Sequence, residues 1–164
     1  MSRLATHAPA QTHKLAEKLA KSVQGDVRTD DLTRQMYSID ASICQMVPIG
    51  VLVPKSVDDI RTAIAFCREE GLSVVPRGGA TGTAGGCLGE GLVIDCSRHL
   101  RQIVEINVEE KWAIVEPGVV QDHLTAAVAK HGLRFGPDTS TGNRATIGGM
   151  VGNNSSGAHS MRYG

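Results

Sequence analysis

The sequence lacks several features that would assign it quickly, and each absence removes a class. Charge of neither sign is in excess: 17 lysines and arginines stand against 17 aspartates and glutamates. Nothing therefore predicts attraction to nucleic acid or to an acidic membrane surface. No apolar run approaches the roughly 20 residues of a spanning helix, and Met1 to Gln11 lack the unbroken apolar core of a signal peptide. The cytoplasm is the expected compartment, with peripheral membrane association of the full protein left open. Cys44, Cys67, Cys87 and Cys96 form no C-x-x-C pair and are scattered, which argues against a metal or iron–sulfur centre within these residues. At least three of them lie in apolar or strand-like surroundings, where a reduced thiol acts as a small hydrophobe.

Two nucleotide-binding signatures are also missing. No frame within 76–91 satisfies Gly-x-Gly-x-x-Gly between strand and helix, so the dinucleotide turn fails. A P-loop needs lysine and a hydroxyl residue after its last glycine, and Cys87-Leu88 follow Gly86 instead.

What is present is a glycine-dense loop, Pro76-Arg77-Gly78-Gly79-Ala80-Thr81-Gly82-Thr83-Ala84-Gly85-Gly86, fed by the apolar run Leu72 to Val75. Five glycines fall between Gly78 and Gly86, a density that outweighs the reading as an ordinary surface turn. Glycine lets backbone N–H groups approach and converge on an anion, and Arg77, Thr81 and Thr83 add donors. A phosphate-bearing ligand is the first expectation. Gly79→Val is expected to block that approach while sparing most of the fold.

Around the loop the pattern alternates. Helical spacing of Leu15, Ala16, Leu19, Ala20 and Val23 predicts an amphipathic helix over His13 to Val23, and a short helix is expected over Asp30 to Met36. Ile49 to Val53 reads as a strand. Ser56 with Asp59 resembles a capping arrangement that opens a helix with Val57, Ile60, Ala63, Ile64 and Cys67 on one face; Gly71 is placed to close it. Leu72 to Val75 follows as a strand, completing a βαβ unit with the glycine loop at its carboxyl end. Gly91 to Cys96, Arg101 to Asn107 and Lys111 to Glu116 read as three successive strands, the last two joined through Asn107 to Glu110. Val120 to Lys130 returns to helical period before Gly132. His123, His99, His131 and His7 show no catalytic pattern.

The last part reads as irregular: Gly136 to Gly142, then Ile147 to Gly157. Small residues at this density let backbone approach a planar ligand whose polar edge Asn, Ser and Thr can meet. A disordered linker is the competing reading, opposed by the apolar Ile147, Met150 and Val151.

Four stretches in one order resemble a known family: Tyr37-Ser38-Ile39-Asp40-Ala41-Ser42, Pro76 to Gly82, Val115-Glu116-Pro117-Gly118-Val119, and Ala145-Thr146-Ile147-Gly148-Gly149 with Asn153 to Gly157. The chain is similar to FAD-linked oxidases with the vanillyl-alcohol-oxidase (PCMH) type of flavin domain, within them to the D-lactate dehydrogenase and glycolate oxidase flavin-subunit group. Asp40-Ala41-Ser42 looks most like members fused to a downstream iron–sulfur region.

The resemblance implies an α+β, α/β-like fold: a βαβ subdomain and part of a second, mixed or antiparallel subdomain. Residues 1–45 would be a helical lead-in and 46–164 an FAD-binding domain incomplete at its C-terminus. It further implies oxidation of a small 2-hydroxy acid by hydride transfer to flavin, with electrons passed to an acceptor it leaves open. By likeness, Pro76, Arg77, Gly78, Gly79, Ala80 and Thr81, with Gly82 and Thr83, cradle the FAD pyrophosphate. Pro137, Asp138 and Ser140 line the ribityl and flavin region. Thr146, Ile147, Gly148 and Gly149 with Asn153, Ser155 and Gly157 form the second wall. Members that bond the flavin covalently carry histidine where this chain has Ala80, so non-covalent FAD is expected. Catalytic residues, and any iron–sulfur cluster, are expected beyond Gly164, and the chain alone is expected to be inactive. An enolpyruvyl-sugar reductase using NADPH shares the fold, and a non-enzymatic nucleotide-binding module is the plainest rival.

Overall fold

The computed structural model describes residues 9–163; Met1 to Ala8, with His7 and most of the segment read for a signal peptide, lie outside them. The chain forms two compact units. The first comprises residues up to Ile39, Cys44–Pro76 and Leu88–Asp95; the second comprises Asp40–Ile43, Arg77–Cys87 and Cys96 onward.

In the first unit, α1 (Pro9–Ala20), β1 (Asp26–Arg28) and α2 (Asp31–Met36) precede β2 (Gly50–Val53), α3 (Val57–Glu69), β3 (Val74–Arg77, its last residue counted with the second unit) and β4 (Leu92–Asp95). The sheet order is β1-β2-β4-β3. Strand β1 runs antiparallel to β2 with Asp26 opposite Val53, and β2 runs parallel to β4 with Gly50 opposite Leu92. All four residues of β2 and of β4 are buried, as expected for central strands covered on both faces. Val51, Val53, Val75 and Val93 form the core there, with Tyr37 packed on it.

The caps of α3 follow the sequence. Ser56 Oγ accepts from Asp59 N at 3.2 Å, and Gly71 takes φ +67°, a conformation that an L side chain adopts only with strain. Asp59 is itself buried, its Oδ1 accepting from Gln24 N at 2.7 Å and its Oδ2 from Lys55 N at 2.8 Å. Burial alone would raise its pKa, but the backbone donors, led by Gln24 and Lys55, outweigh it and hold the carboxyl below its ordinary value.

Several expectations shift. The predicted face of α3 is only partly covered: Ala63 and Cys67 are buried, while Val57 and Ile64 stay half exposed. Strand β3 begins two residues late and absorbs Pro76 and Arg77, because Ser73 O and Arg77 O are the atoms that accept from Leu92 N (2.9 Å) and Cys96 N (3.1 Å). The two bonds advance in the same direction along both strands, so β3 and β4 are parallel. Pro76 is tolerated since β3 stands last in the sheet order and an edge strand can spare a donor. The βαβ unit is a crossover past one place, with β4 between β2 and β3.

In the second unit, β5 (Ile103–Asn107) and β6 (Trp112–Val115) form an antiparallel hairpin with Asn107 opposite Trp112. Asn107 Oδ1 accepts from Glu110 N at 2.9 Å, and Lys111 has φ +60°. Helix α4 (Gln121–Ala129) sets Leu124 and Val128, beside Val119, against Ile103, Ile106, Ala113, Val115, Leu133, Phe135 and Ile147. The stretch read as irregular, Ile147 to Gly157, contains α5 (Ile147–Gly152), and α6 (Ser160–Tyr163) follows it. Tertiary anchors override the weak helix propensity of Ile-Gly-Gly-Met-Val-Gly: Ile147 N donates to Val119 O and Gly148 N to Pro117 O, both at 2.8 Å, and Met150 is buried. The fold class is thus mixed α+β, as the sequence implied.

Candidate cofactor site

The site residues in the second unit assemble from two contacts. In the first, the glycine loop lies against the start of α5. A Cβ added to Gly78 would stand 2.1 Å from Thr146 Oγ1 and 3.6 Å from Gly149 Cα; one added to Gly79 would stand 2.3 Å from the Arg144 carbonyl oxygen. Both glycines are required by the chain's own packing. The expectation for Gly79→Val is therefore corrected: the branched side chain would strike backbone and disturb the fold itself.

The second half of the loop differs. At Gly82 and Gly86 a Cβ would meet nothing within 4 Å, so nothing in the chain demands glycine there. Between the halves, Ala80 sits at φ +52°, where a non-glycine residue is strained. Its carbonyl accepts from Ala41 N at 3.2 Å. Thr81 is half-buried and Thr83 exposed.

In the second contact, Asp138 pairs with the segment after α5. Asp138 N donates to Ser156 O at 3.1 Å and Ala158 N to Asp138 O at 3.0 Å. Gly157, at φ +88°, leaves no room for a side chain, since a Cβ would stand 2.0 Å from Asp138 O. The Asp138 carboxylate is engaged by Arg134 (3.1 Å) and His159 (3.2 Å). Ser140 and Asn153 are exposed; Asn153 Nδ2 donates to Ser155 Oγ at 3.4 Å.

Buried Gln121 joins the pieces, and the sequence reading gave it no role. Its Oε1 accepts from Thr139 Oγ1 at 2.7 Å, and its N donates to Ala145 O at 2.9 Å. Its signal was a polar residue in register with Leu124 and Val128 on a buried stripe. Asp40 and Cys87 were likewise missed as participants: Cys87 Sγ donates to Asp40 Oδ2 at 3.5 Å, and Arg77 NH1 lies 3.9 Å from the same sulfur. Burial pushes the Cys87 thiol pKa up, opposed by Arg77 and reinforced by Asp40.

One atom tests whether this arrangement suits a ligand. Thr146 Oγ1 is buried without a hydrogen-bond partner, a state that costs about 1–3 kcal/mol when no acceptor or donor arrives. It faces the Gly78 backbone. An orphaned hydroxyl beside the Gly78 backbone, in a loop that also carries Arg77 and an open second half, is a donor set for an oxygen-rich anionic group.

Residues 48–164 match the family model described as the FAD binding domain, and the chain belongs to that family. It is 41% identical over 169 residues to a D-2-hydroxyglutarate dehydrogenase of Pseudomonas putida, a match covering all of this chain and 17% of that protein. It is 36% identical to the glycolate oxidase subunit GlcD of Bacillus subtilis, over 93% of this chain and 33% of that one. Among solved structures, an alkyldihydroxyacetonephosphate synthase superposes with a TM-score of 0.81 at 19% identity, covering all of this chain and 32% of its own. That likeness shows the fold, which with the family match is the PCMH-type FAD-binding domain. The chain therefore spans between a sixth and a third of the length of these proteins. No helix among the described residues is long and apolar enough to cross a membrane.

Proposed function

We propose that this chain is the FAD-holding part of an oxidoreductase acting on a 2-hydroxy acid of the D-2-hydroxyglutarate, glycolate or D-lactate kind. The single observation that supports the cofactor assignment most is the orphaned Thr146 hydroxyl against the Gly78 backbone. Bound FAD supplies the two-electron redox chemistry, while the protein binds and orients it. In this reading the amides of Gly78 to Gly82 and the Arg77 guanidinium bind the pyrophosphate, with Pro76 and Thr83 at the loop margins. Thr146 satisfies its hydroxyl on the cofactor. Ile147 and Gly148 hold that threonine in place through the two anchors to Val119 and Pro117, and Gly149 leaves room beside its hydroxyl. Pro137, Asp138 and Ser140, with Asn153, Ser155 and Gly157, form the remainder of the cofactor wall. Asp138 acts there through its backbone, because its carboxylate is already paired.

Ala80 carries no group able to bond the flavin, so attachment is non-covalent. Acid precipitation of the full-length protein should leave FAD in the supernatant; colour retained in the pellet contradicts this. Gly82→Val, whose Cβ would meet nothing within 4 Å, should weaken FAD binding at least about tenfold without a loss of fold, by blocking backbone approach. Full-length protein should be bleached anaerobically by one of the 2-hydroxy acids. Bleaching by NADPH instead would move the assignment to the reductase sharing the fold, and a colourless protein would leave only a nucleotide-binding module.

A further inference from the structure

The four residues Asp40–Ile43 belong to the same compact unit as the glycine loop, although the residues on either side of them do not. Two links tie this segment to the loop. Ala41 N donates to the carbonyl of Ala80, the residue held at φ +52°. Cys87 Sγ, at the far end of the loop, donates to Asp40 Oδ2 at 3.5 Å and lies 3.9 Å from Arg77 NH1. Asp40 is fixed from its own side, its Oδ1 accepting from Ser42 N at 2.8 Å. The segment thus holds the loop at its strained middle and at its end, and Cys87 in turn reaches Arg77 at its start.

We infer that Asp40 is a positioning residue for the FAD site: its carboxylate, acting through Cys87 and by direct attraction, restrains the Arg77 guanidinium for the cofactor's pyrophosphate. The inference rests on the cofactor reading above. It concerns a residue with no assigned contact to the cofactor, and it opposes the simplest electrostatic expectation. A negative charge beside an anion site should weaken anion binding, so Asp40 is useful there only if ordering Arg77 gains more than its charge costs. Burial disfavours the Asp40 carboxylate, but the Ser42 hydrogen bonds, Cys87 and Arg77 together hold it below its ordinary pKa, and it stays ionised at neutral pH.

The test is a double-mutant cycle on the full-length protein, reading FAD affinity by flavin fluorescence during reconstitution of the apoprotein. Wild type must first bind FAD; failure there overturns the cofactor reading and this inference with it. Given binding, Asp40→Asn should weaken FAD about tenfold, and the same change made in an Arg77→Met background should cost no more than about twofold further. Cys87→Ala should give part of the Asp40→Asn loss, and Cys87→Ser, which keeps a donor to the carboxylate, should restore affinity. Additive losses from Asp40→Asn and Arg77→Met would show that Asp40 serves the fold generally. Unchanged or tighter FAD binding in Asp40→Asn would show that its charge merely opposes the anion. Either result overturns the positioning role.

Discussion

Two glycine-rich stretches of similar composition end differently. Residues 76–86 run from an edge strand into an open loop, whereas 147–157 begin as a six-residue helix and end in a backbone bridge to Asp138. Glycine content does not explain the difference, since both stretches carry it densely. What separates them is anchoring. The second stretch has Val119 O and Pro117 O waiting for its first two amides and a buried Met150. The first makes its closest approaches only at Gly78 and Gly79, leaving Gly82 and Gly86 open. Glycine therefore serves packing in one place and leaves room for a ligand in another, and only the neighbours tell which.

The comparison can be broken most sharply at Gly157. Gly157→Ala combines φ +88° with a collision against Asp138 O, and should destabilise the second unit by about 3 kcal/mol or more. Thermal unfolding should show the loss, and a neutral result would mean that the Asp138 bridge is not maintained. Gly79→Ala, against the Arg144 carbonyl, should cost about 1–3 kcal/mol, in contrast to the silent effect on stability expected of Gly82→Ala.

A smaller effect, with opposite signs in two measurements, is expected at Thr146. Thr146→Val deletes the orphaned hydroxyl at nearly constant shape, so the apoprotein should gain about 1 kcal/mol while FAD affinity falls about tenfold. Loss of stability in the apoprotein would show that the hydroxyl has a partner after all. The smallest change is at Gly152, the last residue of α5, where a Cβ would meet nothing. Gly152→Ala should stabilise by about 0.5–1 kcal/mol, by reducing unfolded-state freedom and favouring helix. A loss there would mean that α5 is not helical to its end.

Acid tests the first unit through a buried carboxylate. Asp59 has its folded-state pKa lowered by the donors it accepts from, so its contribution is present above the ordinary carboxylate pKa of about 3.9 and disappears as pH falls through the lower folded value. Protection of the Gln24 and Lys55 amides against hydrogen exchange should therefore hold at neutral pH and be lost only as pH falls through that lowered folded-state value. Asp59→Asn should weaken that protection at neutral pH and flatten its acid dependence.

Much of this was written locally. Ser56, Gly71 and Gly132 mark helix ends through side-chain and backbone preferences that act within a few residues. Val51, Leu52, Val93 and Ile94 declare buried strands because an all-apolar run has nowhere else to go. The family, too, was readable, since its four motifs lie in one order along the chain. The tertiary structure decided what depends on partners distant in sequence. Pairing with Leu92 and Cys96 drew Pro76 and Arg77 into β3, and β4 entered between two strands that the chain makes in succession. Contacts with Val119 and Pro117 turned a weak helix former into α5, and a carbonyl at Arg144 separated a structural glycine from one that leaves space. Propensity acts over a few neighbouring residues, whereas hydrogen-bond closure and steric exclusion depend on which atoms folding brings within reach.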